Sequence, residues 1–390
     1  MSVQDTKLRI GVVGLGRFIE IAHMPTYFDS PYSEFIEVAA VCDTDPGRLK
    51  EWADRYGIAG RYTDTAQMVQ DTPLDAVVVV TPDHAHAAPT LAALEAGCDV
   101  LVEKPMAMTV TDCDRMIQAA ADQGRRLIVD FHKQFDPAHQ EARERISSGR
   151  YGPLQFGRAW MQDAISVPAG DFFKSDLAAH SSPVWFLGVH FFDVIHFVTG
   201  VRPARVRATG YRHVLGPLRG IDTWDAVKAD VVYTAGQSIS FLVSWNLPAG
   251  IPSLTQQGFV LQFAHGEVRV DAAFSGLTDS SDVDGFKALN PAFTRRGQHG
   301  YAGYGHESIG EALREFLKLK RSGRAELAAL EAQNPSGYDG LYATWIGQCV
   351  DASLADGVER DAGRAVVGRD VDCEALLRDQ LGPRAEEYLQ

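Results

Sequence analysis

The sequence contains no stretch of eighteen apolar residues, so no helix long enough to cross a bilayer is expected. Basic side chains are outnumbered by acidic ones, 37 against 51, which leaves a net charge of −14 with histidine neutral. That balance excludes the clustered Lys and Arg of a nucleic-acid footprint. Cysteine is sparse: Cys42, Cys98, Cys113, Cys349 and Cys373 stand apart with no C-x-x-C pair. An odd, unpatterned set reads as reduced thiols in a cytoplasmic protein rather than a disulfide framework. Met1–Arg9 is polar and runs into a strand, without the charged-then-apolar order of a secretory leader. Internal repeats and low-complexity tracts are missing as well. At 390 residues the chain is long for one compact core, so two domains are expected.

What is present in the first third is a regular alternation. Residues 8–13, 35–42, 75–81, 99–102 and 126–131 are apolar and β-branched. Val77-Val78-Val79-Val80 is an unbroken run typical of a strand buried on both faces. Helical patterns lie between them over 47–56, 65–70, 85–96 and 111–123. This succession implies βαβ units and a parallel sheet. Beyond about residue 135 the pattern changes. A helix is expected from Pro137 to about Ser148, then strands over 154–162, 205–210, 226–234, 238–245, 258–264 and 267–271. Several alternate apolar and polar residues, as Val227, Ala229 and Val231 do, which describes an antiparallel or mixed sheet covered on one side. Helices are expected at 308–321 and 341–355, and a long polar loop at 279–297.

Chemistry-bearing residues gather at the strand ends. Gly14-Leu15-Gly16 follows the first strand: Gly14 permits a tight turn, and Gly16 lets the backbone approach a pyrophosphate. Phe18 and Ile19 open the helical turn whose N–H groups face phosphates. Ile19 stands where the dinucleotide fingerprint has Gly or Ala, so the turn alone says little. Asp43 ends the second strand, where a carboxylate accepts from a ribose 2′-hydroxyl and repels a 2′-phosphate. NAD is therefore expected over NADP. Glu103-Lys104-Pro105 ends an apolar strand, and the proline disfavours the helical region for the lysine. A lysine at that sheet edge can carry a proton while a bound dinucleotide carries a hydride. His84-x-His86 and the His190/His196 pair lack companion ligands at zinc spacing, so no metal is expected.

Taken in order, the glycine turn, Thr81-Pro82-x-x-x-His86, Glu103-Lys104-Pro105 and Gly188-x-His190-x-x-Asp193 resemble the Gfo/Idh/MocA oxidoreductases. The likeness runs over nearly the whole chain. It implies an N-terminal Rossmann dinucleotide-binding domain over 1–132. It also implies a C-terminal α/β domain over 133–390 with a large open, mostly antiparallel sheet, which binds substrate and mediates oligomerisation. The activity implied is an NAD(P)-dependent dehydrogenase that interconverts a secondary alcohol and a ketone on a sugar, cyclitol or related polyol. A homodimer or homotetramer is implied as well. Lys104 and His190 become the catalytic residues and contact the substrate, Lys104 also contacting the nicotinamide ribose of the cofactor, with Asp193 beside them. Thr81, Pro82, His86 and Glu103 line the nicotinamide side. Trp160 offers either an apolar face on which a sugar can stack or a side chain for core packing.

One position departs from the resemblance. Phe186 stands four residues before His190, where many members carry an aspartate. Asp163, Asp171 and Asp176 are the candidates for a substitute. Two other readings stay open. One is an NAD-binding regulator without catalysis. The other is a redox-assisted glycoside hydrolase, which oxidises one carbon transiently to acidify its neighbour.

Overall fold

The structure is a computed structural model that describes residues 7–170, 177–272, 277–281, 285–290, 292–324, 327–330 and 333–390. Its two compact units do not follow chain order. The first takes residues 1–107, 111–135 and 293–341, and the second takes 108–110, 136–292 and 342–390.

The first unit is built on six strands: β1 (Leu8–Val13), β2 (Ile36–Cys42), β3 (Gly60–Tyr62), β4 (Ala76–Val79), β5 (Asp99–Glu103) and β6 (Leu127–Asp130). They lie in the order β3-β2-β1-β4-β5-β6, every pair parallel. This is the doubly wound dinucleotide-binding order, whose ligand crevice opens between β1 and β4 at the carboxyl edge. Every residue of β4, β5 and β6 is buried, which explains their unbroken apolar runs. The helix Pro46–Tyr56 begins where Asp45 accepts from the N–H groups of Gly47 and Arg48. It ends at Gly57, which takes the left-handed conformation.

Residues 293–341 were expected with the second domain, since the boundary read from the sequence fell at 132/133. In the structure they complete the first unit. Ile309, Leu313, Phe316 and Leu317 of the helix Tyr304–Ser322 share one buried core with Ile10, Val12 and Val78. Beside them Arg126 Nε donates to Glu315 at 2.6 Å, and Asn334 Nδ2 donates to the other Glu315 oxygen at 2.5 Å. The Val129 N–H donates to the Pro335 carbonyl at 3.1 Å. Arg126 and Glu315 are 189 residues apart, so local periodicity carries no trace of the pairing.

The second unit carries β7 (Leu154–Ala164), β8 (Pro203–Tyr211), β9 (Ala226–Tyr233), β10 (Ser238–Leu247), β11 (Thr255–Phe263), β12 (Gly266–Asp271), β13 (Val358–Arg360), β14 (Ala365–Val367) and β15 (Val371–Asp372). They form a nine-stranded sheet in the order β12-β11-β7-β10-β9-β8-β14-β13, with β15 also pairing β8. The β7–β10 pair is parallel and the other pairs are antiparallel. One row across it, Phe259-Ala159-Phe241-Ala229-Ala208, is buried throughout. Helix Val189–Thr199 packs on that face, with the Phe192 ring 4.9 Å from Phe241. Part of the expected loop at 279–297 is strand instead. Leu277–Ser281 pairs antiparallel with Gly285–Leu289. A two-stranded ribbon needs no buried face, so its sequence shows no apolar alternation.

Candidate functional site

Parallel register aligns the strand ends of the first unit. Val13 pairs with both Cys42 and Val79, Val79 with Val102, and Glu103 with Asp130. Gly14, Asp43, Thr81 and Lys104 therefore follow one another along a single carboxyl edge. Gly14 has φ +91°, and a Cβ there would lie 2.6 Å from the Val80 carbonyl, so only glycine fits this close approach. At Gly16 a Cβ would meet nothing within 4 Å, which leaves open space beside the backbone. That combination fits a pyrophosphate drawn up to the turn. Ile19 is fully buried and Phe18 packs against the same core, so both side chains turn inward. Any cofactor contact they make comes from the main chain.

Asp43 does more than end a strand. One carboxylate oxygen accepts from the Leu15 N–H at 2.7 Å, and the other accepts from the Asp45 N–H at 2.8 Å and from Arg48 at 3.2 Å. It fastens the glycine turn to the second strand and still has acceptor capacity for a ribose hydroxyl. Thr81 is half-buried and donates through Oγ1 to the Ala85 carbonyl at 3.0 Å, while Pro82 is exposed at the edge. The His86 ring is buried between two carbonyls, Pro105 at 2.6 Å from Nδ1 and Thr81 at 2.7 Å from Nε2. A neutral ring carries one N–H, so it donates to one of these carbonyls and lies against the other. The part of His86 is to brace Thr81 and Pro105 on either side of the site, and burial lowers its pKa.

Lys104 follows β5 directly, is 8 % exposed and is joined to Pro105 by a cis peptide bond. Its own N–H donates to Glu103 Oε2 at 3.3 Å. The Glu103 side chain points into the unit rather than along the edge. Its other oxygen lies 2.8 Å from His23 Nε2, and His23 Nδ1 lies 2.8 Å from the Tyr27 hydroxyl. Asp130, the register partner of Glu103, completes this buried set, in which one atom from each of His23, Glu103 and Asp130 lies within 4.8 Å of the others. Burial pushes His23 down to about 4 and Glu103 up to about 7, and raises Asp130 well above the carboxyl range. Sequence reasoning missed His23 and Asp130. The one available signal was that Glu103 and Asp130 each end a buried parallel strand with an acid.

In the second unit His190 is 4 % exposed and Asp193 1 %, both on helix Val189–Thr199. The chain enters that helix through a π-helix, Val184–Gly188. Phe186 is half-buried in this wider turn, its ring centroid 5.8 Å from that of Trp245. Among the candidate substitutes, Asp163 accepts from Thr255 Oγ1 at 2.5 Å at the β7–β11 seam, while Asp171 and Asp176 lie outside the described residues. A further carboxylate escaped notice: Asp351 accepts from Trp185 Nε1 at 2.8 Å, and burial pushes it up to about 6. Trp160 corrects an expectation. It alternates with Ala159 and Met161 of the helix-covered face and so lies on the opposite side of β7 from the His190 helix. There it fills the space left by Gly258 and lies under the Arg158 guanidinium, 5.2 Å from the ring centroid.

No helix among the described residues is long and apolar enough to cross a membrane. Residues 8–131 match the family described as an oxidoreductase family with an NAD-binding Rossmann fold, and residues 139–269 match the Gfo/Idh/MocA C-terminal domain. The chain is 30 % identical over 199 residues to D-glucoside 3-dehydrogenase of Escherichia coli strain K12, covering 51 % of this chain and 56 % of that protein. It is 30 % identical over 193 residues to inositol 2-dehydrogenase of Salmonella typhimurium strain LT2, covering 49 % and 54 %. The chain thus spans little more than half the length of these curated relatives. Its fold is shared with scyllo-inositol dehydrogenase from Lactobacillus casei, solved with NAD(H) and scyllo-inositol. That match has TM-score 0.66 and 19 % identity over 88 % of this chain and 96 % of the other.

Proposed function

The chain belongs to the Gfo/Idh/MocA oxidoreductase family, and from that premise we propose an NAD-dependent dehydrogenase that interconverts a secondary alcohol and a ketone on a sugar, cyclitol or related polyol. The observation that carries this reading is the single sheet edge on which Gly14, Asp43, Thr81 and Lys104 succeed one another by strand register. When bound, the dinucleotide supplies a hydride acceptor. The residues of the chain do the rest. Gly14 and Gly16 bring the backbone to the pyrophosphate, and the helical turn after them presents N–H donors. Asp43 accepts from the ribose and disfavours a 2′-phosphate, which supports NAD over NADP. Lys104 Nζ takes the hydroxyl proton as the carbinol carbon loses its hydride, and returns it in the reverse direction. His190, assigned through the Gly188-x-His190-x-x-Asp193 motif, hydrogen-bonds the same oxygen or an adjacent hydroxyl, with Asp193 beside it. We assign the protein to the cytoplasm and to a homodimer or homotetramer on the strength of the family resemblance and its scattered thiols.

The test is a panel of inositols, aldoses and methyl glucosides offered to the full chain with NAD, read by NADH absorbance. One NADH per ketone formed from at least one polyol is the expected result. Glucoside cleavage without net NADH would replace the reading with a redox-assisted hydrolase. NAD binding without either reaction would replace it with a regulator.

A further inference from the structure

We propose that Asp130 carries a proton in the native protein and donates it to Glu103, leaving His23, Glu103 and Asp130 with one negative charge that stabilises the ammonium form of Lys104. The part concerning Lys104 rests on the dehydrogenase reading above; the part concerning the proton does not.

Glu103 receives the Lys104 N–H at 3.3 Å on one oxygen and faces His23 Nε2 at 2.8 Å on the other. The Tyr27 hydroxyl, 2.8 Å from His23 Nδ1, has a proton to give. One assignment satisfies this chain: Tyr27 O–H to Nδ1, and Nε2–H to Glu103. His23 is then neutral and Glu103 is the acceptor for all of its neighbours. Asp130 remains. It is 2 % exposed and lies close to Glu103 and Ser308, yet neither of its oxygens makes a hydrogen bond of good geometry. Ser308 Oγ, also buried, closes none either. A buried carboxylate with two empty oxygens costs far more than a neutral acid. Register places Asp130 and Glu103 side by side on one face of adjacent strands, where two like charges do not both persist. A proton on Asp130 resolves both problems, because it turns an orphaned acceptor into a donor aimed at Glu103.

The titratable groups around Glu103 agree with this assignment. They are His23, Tyr27, Asp83, Lys104 and Asp130, and His23 in turn acts on His306. Burial is the largest cause of the raised Glu103 and Asp130 values, and the mutual charge adds to Asp130. A carboxyl whose native pKa is raised stabilises the fold fully below its unfolded pKa. That contribution is lost as pH rises towards the native pKa. For this pair the loss begins near the ordinary carboxyl values of 3.8 and 4.5, continues to about 7 for Glu103, and for Asp130 continues well above its ordinary value.

Three measurements on the full chain decide the matter. First, the infrared carbonyl band of a protonated carboxylic acid should be present in the native protein at neutral pH, and Asp130→Asn should remove its Asp130 component, leaving only what Glu103 and Asp351 contribute. This reads the proton directly, and its absence from the wild type would overturn the proposal whether or not the variant folds. Second, in urea unfolding without cofactor, Asp130→Asn keeps a neutral donor but removes the titration. The ratio of the wild-type to the variant unfolding constant should therefore grow about tenfold per pH unit between about pH 5 and 7. A ratio that does not change with pH would mean an ionised Asp130. Stabilisation of the wild type, but not the variant, by added Zn²⁺ or Mg²⁺ would mean that a cation does the neutralising. Third, Glu103→Gln should lower the pKa of the basic group in the pH profile of kcat/KM by about one unit or more. An unmoved profile would overturn the link to Lys104. Failure of the wild type to turn over any polyol would instead sink the dehydrogenase reading, with the first two measurements still deciding the proton.

Discussion

Replacing Asp43 by asparagine separates the two jobs that one carboxylate performs. Its oxygens accept from Leu15 N–H at 2.7 Å, Asp45 N–H at 2.8 Å and Arg48 at 3.2 Å. Asparagine can keep one of the two main-chain contacts but turns an N–H towards the other, which costs about 1–3 kcal/mol of stability. That cost falls equally on every cofactor. The discriminating effect is different. A hydrogen bond from a ribose hydroxyl to a charged acceptor is worth about 1.5–3 kcal/mol, and its loss weakens NADH alone. The negative charge that repels a 2′-phosphate disappears in the same step. Arg48, held by Asp43 and Asp45, is released from one of its two partners and becomes available to that phosphate. The ratio of NADPH to NADH affinity should therefore rise about ten- to a hundredfold. Fluorescence titration of the two reduced cofactors measures it without any need for turnover. Adding Arg48→Ala to the Asp43→Asn protein should cancel the gain in NADPH. A ratio unchanged by Asp43→Asn would show that this carboxylate only staples the glycine turn, and the preference for NAD would have to come from elsewhere.

Lys104→Met should lower turnover by about 10²–10⁴-fold while NADH affinity stays within about tenfold, since general acid–base groups act on the chemical step. Near-normal turnover would remove Lys104 from the mechanism. Glu315→Ala removes the carboxylate that neutralises the buried Arg126 guanidinium, leaving it carbonyl partners such as Leu127 and Asn334, which should cost about 3–5 kcal/mol in urea unfolding. The double change Arg126→Met with Glu315→Leu should recover most of that loss, because an apolar pair of similar volume carries no desolvation cost. Trp160→Ala should leave KM for the polyol unchanged, because Trp160 lies on the sheet face away from the His190 helix; a clear rise in KM would contradict that placement.

Much of the fold was legible in the sequence because its information is local. The valine run at 77–80 announces a strand buried on both faces, and the alternation at 227–231 announces one covered on a single face. Gly14, Asp43 and Lys104 could be ordered along one edge because parallel strands must end together. The failures share a cause. The helix 304–322 looks amphipathic wherever it docks, and only its partners, Arg126 and the core of β1 and β4, assign it to the first unit. Glu103 reads as an edge residue until its side chain is seen to turn towards His23, eighty positions earlier. Trp160 reads as a stacking platform until strand parity puts it on the wrong face.

Helical counting fails at two segments, one that ends at a site histidine, His23, and one that runs directly into the helix carrying His190. Ile19–His23 and Val184–Gly188 are π-helices, in which each turn holds an extra residue. An inserted residue rotates everything after it relative to the ordinary 3.6-residue period. At the first site His23 closes the wide turn, and Tyr27, four residues on in the α-helix Met24–Phe28, still reaches its ring at 2.8 Å. One ring nitrogen thereby faces Tyr27 and the other faces Glu103. At the second site the wide turn holds Phe186 and precedes the helix that carries His190, and the Phe186 ring lies 5.8 Å from that of Trp245. Stepping back four residues from His190 assumes an α-helical stack that this segment does not form. Phenylalanine at 186 therefore counts less against catalysis than its sequence position suggests. A replacement carboxylate should be sought by burial and reach, as with Asp351 behind Trp185, rather than by spacing.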